Sequence, residues 1–391
     1  MSKLEELIQQ YCPDGVEWKT LGEATIMKRG TSATKGIMQE GDIPVISGGR
    51  QPAFYCNVSN RTGEVITVAG SGAGAGYVQY WNEPIFVCDA FSIQGNETLK
   101  TKYVYYILTN IQEKIYSTKK GGGVPHVHIS SIDKFEIPVP PLPVQEEIVR
   151  ILDAFTELQA ELQAELQAEL QKRKQQYNYY RDNLLSFKGR TDVEWKKLGE
   201  IASIKTGRRF VRTDIRESGV PCFHYGDIYT YYGLTATQTK GYLDKELAKK
   251  LRFAQPNDVV VVCAGENDMD IGVGVAWLGD KPAVVHDACC ILHHNQSPRY
   301  ISHFLRTHNY HLQMKKYVKN GKISSLPASG LAEALIPLPS FEEQERIAAI
   351  LDRFDTLTTD LTQGLPAEIE KRRQQYEYYR DKLLTFKRKG A

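Results

Sequence analysis

The 391-residue sequence has no run of about 18 apolar residues, the length a membrane-spanning helix needs. Its opening stretch, MSKLEELIQQY, has no apolar segment of the kind a secretory signal carries. Seven cysteines, odd in number and without a Cys-x-x-Cys spacing, exclude a disulfide-dense scaffold and point to reduced thiols in the cytoplasm. Neither sign of charge dominates: 49 Lys+Arg oppose 47 Asp+Glu. A net charge of +2 neither demands nor excludes nucleic acid, because a binding face is set by local charge. The 41% hydrophobic content excludes wholesale disorder, and the length suits two or three domains of about 150 residues.

Catalytic signatures are also missing. Gly70–Tyr77 (GSGAGAGY) lacks the Gly-Lys-Ser/Thr of a phosphate loop, and no ribose-binding acid follows it. It reads as a loop whose backbone approaches something closely. Asn82-Glu83-Pro84-Ile85 lacks the second proline of an adenine methyltransferase motif. The acidic Pro13-Asp14 and Glu17-Trp18-Lys19 stand too close together to span the strands of a nuclease site, so Glu17 onward reads as a strand. His286-Asp287, Cys289-Cys290 and His293-His294 form the one His/Cys cluster in the sequence. Adjacent residues on a strand face opposite ways, which suits a tetrahedral metal poorly. Catalysis by this chain alone, and a metal site in it, are not expected.

The chain does contain a duplication. Val16–Gly30 and Val193–Gly207 agree at nine of fifteen positions, at an offset of 177. Ile137–Leu158 matches Ile336–Leu357 at eleven of twenty-two, and Glu169–Lys188 matches Glu368–Lys387 at fourteen of twenty, both at offset 199. The segments between have diverged, apart from Ala69-Gly70 against Ala264-Gly265 and Cys88-Asp89-Ala90 against His286-Asp287-Ala288. Those anchors place most of the extra residues of copy two between Gly207 and Ala264.

The well-matched second half of each copy has apolar residues spaced by three and four, from Ile148 to Phe187 and from Ile347 to Phe386. That spacing predicts two long helices with a coiled-coil seam, packed antiparallel because a complete domain separates them. Three LQAE units over Leu158–Glu169 are strong helix formers and predict an unbroken rod. Copy two has Gly364-Leu365-Pro366 there, which predicts a break near Gln363–Pro366. Ser340–Glu343 is a capping box for the second helix. The opening Lys3–Tyr11 helix precedes Val16 much as Arg181–Lys188 precedes Val193, which predicts that the C-terminal helix lies beside the N-terminus. The boundaries expected are globular domains at 1–140 and 189–339, with helices at 141–188 and 340–391. The fold class is α+β, a pseudo-two-fold tandem repeat.

Polar and aromatic loops at equivalent, diverged places supply candidate DNA contacts. In copy one they are Lys28, Arg29, Thr31, Ser47, Arg50, Gln51, Ser71, Lys119, Lys120, His126 and His128. In copy two they are Arg208, Arg209, His224, Tyr225, Asp227, Tyr229, Asn267, Asp268, Lys319, Asn320 and Lys322. Lys and Arg neutralise phosphates, while Arg, Asn, Gln and Asp can pair with base edges. Taken singly, each loop is more often an ordinary solvated one; the set at matching positions favours the functional reading.

Two diverged domains, each followed by P-x-P…Q-E-x-I-x-x-I-L-D, make the chain resemble the specificity (S) subunits of Type I restriction–modification enzymes. The residues are Pro138-Val139-Pro140, Gln145-Glu146-Glu147-Ile148 and Ile151-Leu152-Asp153, then Pro337-Leu338-Pro339, Gln344-Glu345-Arg346-Ile347 and Ile350-Leu351-Asp352. The resemblance covers essentially the whole chain, and LQAE resembles the short spacer repeats of some members. It implies two target-recognition domains, each reading half of a bipartite double-stranded DNA sequence, with the helices setting the gap. It also implies two methyltransferase (M) subunits docked on the shared segments, with Gln145, Glu146, Gln344 and Glu345 as partner-binding residues. Those subunits would bring S-adenosylmethionine, none of it bound by this chain, and motor-nuclease (R) subunits would join them. The rivals are a coiled-coil scaffold that binds no DNA and an enzyme centred on His286 and Asp287.

Overall fold

The computed structural model describes residues 2–33, 39–265, 271–319, 321, 323–359 and 364–390. The chain divides into two compact units. Unit 1 comprises residues 1–164 and 370–391, and unit 2 comprises residues 165–369. Both long helical segments are cut by this division, so each unit holds one globular domain and a share of both.

In unit 1, strand Glu17–Thr20 pairs antiparallel with Glu136–Val139, which sets Trp18 opposite Pro138. In unit 2, Glu194–Lys197 pairs with Leu335–Leu338, with Trp195 opposite Pro337. A proline is tolerated in such a two-stranded ribbon because one side lacks a partner to bond. The ribbon ties the start of each domain to its end before the chain enters a helix.

Between these ties, unit 1 forms an antiparallel sheet in the order Ile26–Arg29, Ala90–Gln94, Val65–Ala69, Val78–Trp81. A three-stranded sheet adds Phe54–Cys56, Ile43–Ile46 and Phe86–Val87, the last pair parallel. Unit 2 repeats the plan with Ala202–Thr206, Cys289–His294, Val259–Val262 and Gly274–Trp277, then extends it with Thr235–Ala236. Its second sheet likewise has a parallel pair, Val220–Phe223 with Ala283–Val285, and adds Phe253–Ala254. Both additions fall between Gly207 and Ala264, where the extra length of copy two was placed. All residues of Val65–Ala69 and Val259–Val262 are buried, as continuous apolar runs covered on both faces must be.

The first long helix runs unbroken over Leu142–Leu184, 43 residues. Its counterpart is two helices, Phe341–Thr359 and Gly364–Leu383, and Gly364 has φ +78°. Part of the predicted break, including Gln363, lies outside the described residues. The Ser340 hydroxyl accepts the Glu343 amide at 3.3 Å, which opens the Phe341 helix. Contacts inside each unit run in opposite chain directions. In unit 1 the rings of Phe155 and Tyr379 lie 6.2 Å apart, and Thr156 and Tyr376 share a 2.9 Å hydroxyl hydrogen bond. In unit 2 Tyr180 meets Phe354 at 5.4 Å. The predicted seam is only partly covered: Ile148 and Leu152 are buried, whereas Leu158 is 62% exposed.

The C-terminal residues complete unit 1. The Val16 amide donates to Lys387 (2.9 Å), the Lys389 amide donates to Val16 (3.0 Å), and Leu384 joins the same core as Leu4. The Arg388 guanidinium sits 4.8 Å from the Trp18 ring. In unit 2 the residues before Val193 play this part, with Leu185 and Phe187 in its core.

Candidate nucleic-acid interface

The sheets bring the copy-one loops together. Gly30 follows strand Ile26–Arg29, and a Cβ there would stand 2.0 Å from the Cys88 carbonyl; at the equivalent Gly207 it would stand 2.2 Å from that of His286. Only glycine allows this approach, and it seats Arg29 beside a hollow of about 180 Å³ with Asp89, His126 and His128. The Ser71 hydroxyl donates to Asp89, and the rings of His126 and His128 are stacked 5.9 Å apart. The glycine-rich loop lies against two others. A Cβ on Gly74 would meet the Gly48 carbonyl at 2.4 Å, and the Gly72 amide donates to Pro125 (3.0 Å). So Ser47, Arg50 and Gln51 neighbour Ser71 and the 120–128 loop, and Arg50 covers the Tyr77 ring at 5.0 Å. Lys120 is held by reciprocal backbone bonds to His126, and Lys119 lies 4.2 Å from the Tyr116 ring. Thr31 accepts from Asn60 (3.0 Å), and Lys28 is exposed at the sheet edge.

Copy two has the same scaffold with other side chains. Lys319 and Ser325 exchange the backbone bonds that Lys120 and His126 exchange in copy one. Arg209, His224 and Tyr225 gather with Phe210, Arg212, His286 and Asp287 around a larger cavity of about 370 Å³. Other predicted residues have internal duties: Arg208 donates to the Lys250 carbonyl (2.8 Å), and Asp227 accepts from Lys240 (3.0 Å). Tyr229 is exposed on the short helix Tyr225–Thr230. Asn267, Asp268, Asn320 and Lys322 lie outside the described residues. Arg212, Asp89 and His286 were not among the expected DNA contacts, His286 and Asp287 having been read only as a rival enzyme centre. The one signal for them was the survival of Asp-Ala at both sites in otherwise diverged copies. Among the described residues, no three His, Cys, Asp or Glu side chains gather as a metal site would require. His293 instead contacts Asp258 at 2.7 Å, and Cys289 and Cys290 are buried in their strand.

The P-x-P…Q-E…I-L-D segments have an internal mechanical job. Gln145 is buried; its Oε1 accepts the Lys100 amide (2.9 Å) and its Nε2 donates to Thr98 (2.8 Å) and Pro140 (2.7 Å). Gln344 repeats this with the Ser297 amide (3.1 Å), Gln296 (2.8 Å) and Pro339 (3.0 Å). The Tyr103 and Tyr300 hydroxyls donate to Pro138 and Pro337. Asp153 takes Tyr106 and Lys102, while Asp352 takes His303 and Arg299 at 2.8 Å each. The motif therefore clamps each helix to its own domain. Glu146 reaches outward to Lys100 (2.9 Å), and Glu345 binds Arg299 and Ser297.

One clamp and one loop scaffold, each built twice, can be compared with known proteins. The profile of the Type I restriction modification DNA specificity domain matches residues 13–172 and 191–371. The chain belongs to this family. Among relatives of this family, the EcoR124I/EcoR124II specificity subunit of Escherichia coli is 33% identical, covering 99% of this chain and 97% of its own. A putative type I restriction enzyme specificity subunit of Haemophilus influenzae is 30% identical, over 95% and 96% respectively. A solved structure from work on complex assembly and conformational transition of the type I R-M system superposes with a TM-score of 0.68, at 18% identity, over 95% of this chain and 97% of that one. The HsdS subunit from Thermoanaerobacter tengcongensis gives 0.52 at the same identity and coverage. Both share the α+β fold of this chain. Within the family frame, the helix clamps are the matching part of the two copies and the loops are the diverged part.

Proposed function

We propose that the chain is the non-catalytic DNA-specificity subunit of a Type I restriction–modification complex. The globular domains, 1–140 and 189–339, each read one half of a bipartite duplex sequence. The helices at 141–188 and 340–391 set the gap between halves through their coiled-coil pairing. The observation that carries this reading is the occurrence of two loop sets at equivalent places on one duplicated frame, their side chains different and their backbone ties the same. A reader of two unrelated half-sites needs one scaffold and two sets of base-facing groups.

Two copies of one frame offer two near-equivalent docking sites, which suits a pair of methyltransferase subunits carrying S-adenosylmethionine and methylating adenine. Tyr179 (65% exposed) and Tyr378 (63% exposed) stand at equivalent helix positions, as do exposed Leu142 and Phe341. With Glu146 and Glu345 they form the docking set, while Gln145 and Gln344 support it from behind. Motor-nuclease subunits join this assembly. Among the described residues no helix is long and apolar enough to cross a membrane, and a chain that acts on DNA in this way works in the cytoplasm.

Replacing residues 189–339 with the matching domain of a relative, in cells that supply the methyltransferase subunit, tests the reading. Methylome sequencing is expected to show one half-site changed and the other retained. Two altered half-sites, or none with methylation intact, would refute it.

A further inference from the structure

Groups that read bases inside a duplex project outward, because base edges lie on the floor of a groove. The cavity in unit 2 has the opposite shape. It is a recess of about 370 Å³ in which a cluster of four rings, Phe210, His224, Tyr225 and His286, shares the lining with Arg209, Arg212 and Asp287. The centroids of His224 and Tyr225 are 4.7 Å apart, those of His224 and His286 4.9 Å, and those of Phe210 and His286 5.1 Å. A base still stacked in its duplex cannot fill such a recess, whereas a base turned out of the stack can.

The polar groups suit the same occupant. Burial holds His224 and His286 below the usual imidazole range. Each Nδ1 accepts a backbone amide, Gly226 at 3.4 Å and Ala288 at 3.1 Å, so the rings are neutral and carry their proton on Nε2. The Asp287 carboxylate also approaches the His286 Nδ1, at 3.0 Å, and opposes the effect of burial on that ring. The Nε2–H of His224 has no partner among the described residues and is a donor for a ring nitrogen or carbonyl. Arg209 and Arg212 line the rim with no hydrogen bond or ion pair from their side chains among the described residues. They are placed for phosphate. At the equivalent place in unit 1 the hollow is about 180 Å³, and Asp89 is occupied by Ser71.

We propose that this cavity is a nucleobase-binding site: one planar base lies against the ring cluster of Phe210, His224, Tyr225 and His286, and its adjoining phosphate meets Arg209 and Arg212. The base comes either from the DNA half-site, by extrusion, or from a free nucleotide. The first source rests on reading unit 2 as a DNA-binding domain; the second does not.

The test uses the full chain assembled with its methyltransferase subunits. Duplexes bearing the recognised sequence receive one mismatch at a time across the half-site assigned to unit 2, and binding is followed by fluorescence anisotropy. A mismatch removes the cost of unpairing, so one position is expected to bind about tenfold tighter than the matched duplex. Tyr225→Ala should erase that preference while the matched duplex still binds. His224→Asn, which keeps an acceptor for the Gly226 amide, repeats the test if Tyr225→Ala does not fold. In the second arm AMP, GMP, CMP and TMP are titrated by calorimetry. Saturable binding lost in either variant, with no favoured mismatch, assigns the site to a diffusible nucleotide. No favoured mismatch and no saturable nucleotide overturns the proposal. A complex that fails to bind even the matched duplex refutes the DNA reading, and the titrations then decide the cavity alone.

Discussion

Deleting one LQAE unit, such as Leu162–Glu165, perturbs the rod and neither domain. The helix is continuous from Leu142 to Leu184, so four fewer residues shorten it by about 6 Å. They also remove about 400° of winding at 3.6 residues per turn, which leaves a net change of only about 40°. DNA rises about 3.4 Å per base pair, so the length change is worth about two base pairs at most. The winding change is close to the twist of one base pair, about 35° at 10–10.5 base pairs per turn. The gap in the methylated sequence should therefore shorten by one or two base pairs, with both half-sites unchanged. Removing Glu165 alone turns the helix by about 100° and should abolish methylation instead. Methylome sequencing of cells expressing each variant with its methyltransferase subunit reads the result. An active four-residue deletion with the original gap would sink the ruler.

Gln145→Ala leaves the Lys100 amide and the Thr98 and Pro140 carbonyls without their partner. Denaturant melting should show a loss on the order of 3 kcal/mol, and Gln344→Ala the same, since a buried donor left unpaired costs about 1–3 kcal/mol by itself; a change below about 0.5 kcal/mol would mean the clamp carries no load. Burial holds His224, His286, His294, His303 and His311, all in unit 2, below their ordinary value of 6.5. As pH falls below 6.5 the unfolded chain takes up protons that folded unit 2 refuses, so stability is lost from there downward. In unit 1, hydrogen bonds from Arg150 and Lys3 hold Glu147 down to about 2, so its contribution is full above 4.5 and fades only as pH falls towards 2. Hydrogen exchange should therefore show unit 2 opening first on acidification, and unit 1 opening first would contradict this. Arg209→Ala and Lys120→Ala should each weaken DNA binding uniformly across sequences and lower the salt slope by about 1, as single phosphate contacts do; a change in the sequence read would assign them to bases.

The duplicated frame was legible because it rests on local patterns. Apolar spacing and Ser340 marked the helices, Glu17 onward read as a strand whose partner was not foreseen, and the Ala69-Gly70 and Ala264-Gly265 anchors located the insertion. The Lys3–Tyr11 parallel with Arg181–Lys188 foretold the C-terminal segment beside Val16. Gln145 and Gln344 were harder to place. A polar pair at a helix start reads as surface until its three hydrogen-bond partners are seen, one of which lies 47 residues away. The copy-two cavity was hidden for a related reason: Phe210, His224 and His286 come from three distant stretches, and nothing in the sequence joined His286 to the other two. Leu158 shows the opposite error, where good heptad spacing overstated burial.

The union of the chain's last residues with Val16 and Leu4 also fixes an order of events during synthesis. Unit 2 is a continuous stretch and can close once residue 369 has been made, whereas unit 1 waits for residues 370–391. At about 5–20 residues per second, the domain begun first stands unfinished on the order of tens of seconds while the second is made. The half translated first is thus the half completed last, and a late frameshift would spoil the reading of the first half-site while sparing the second.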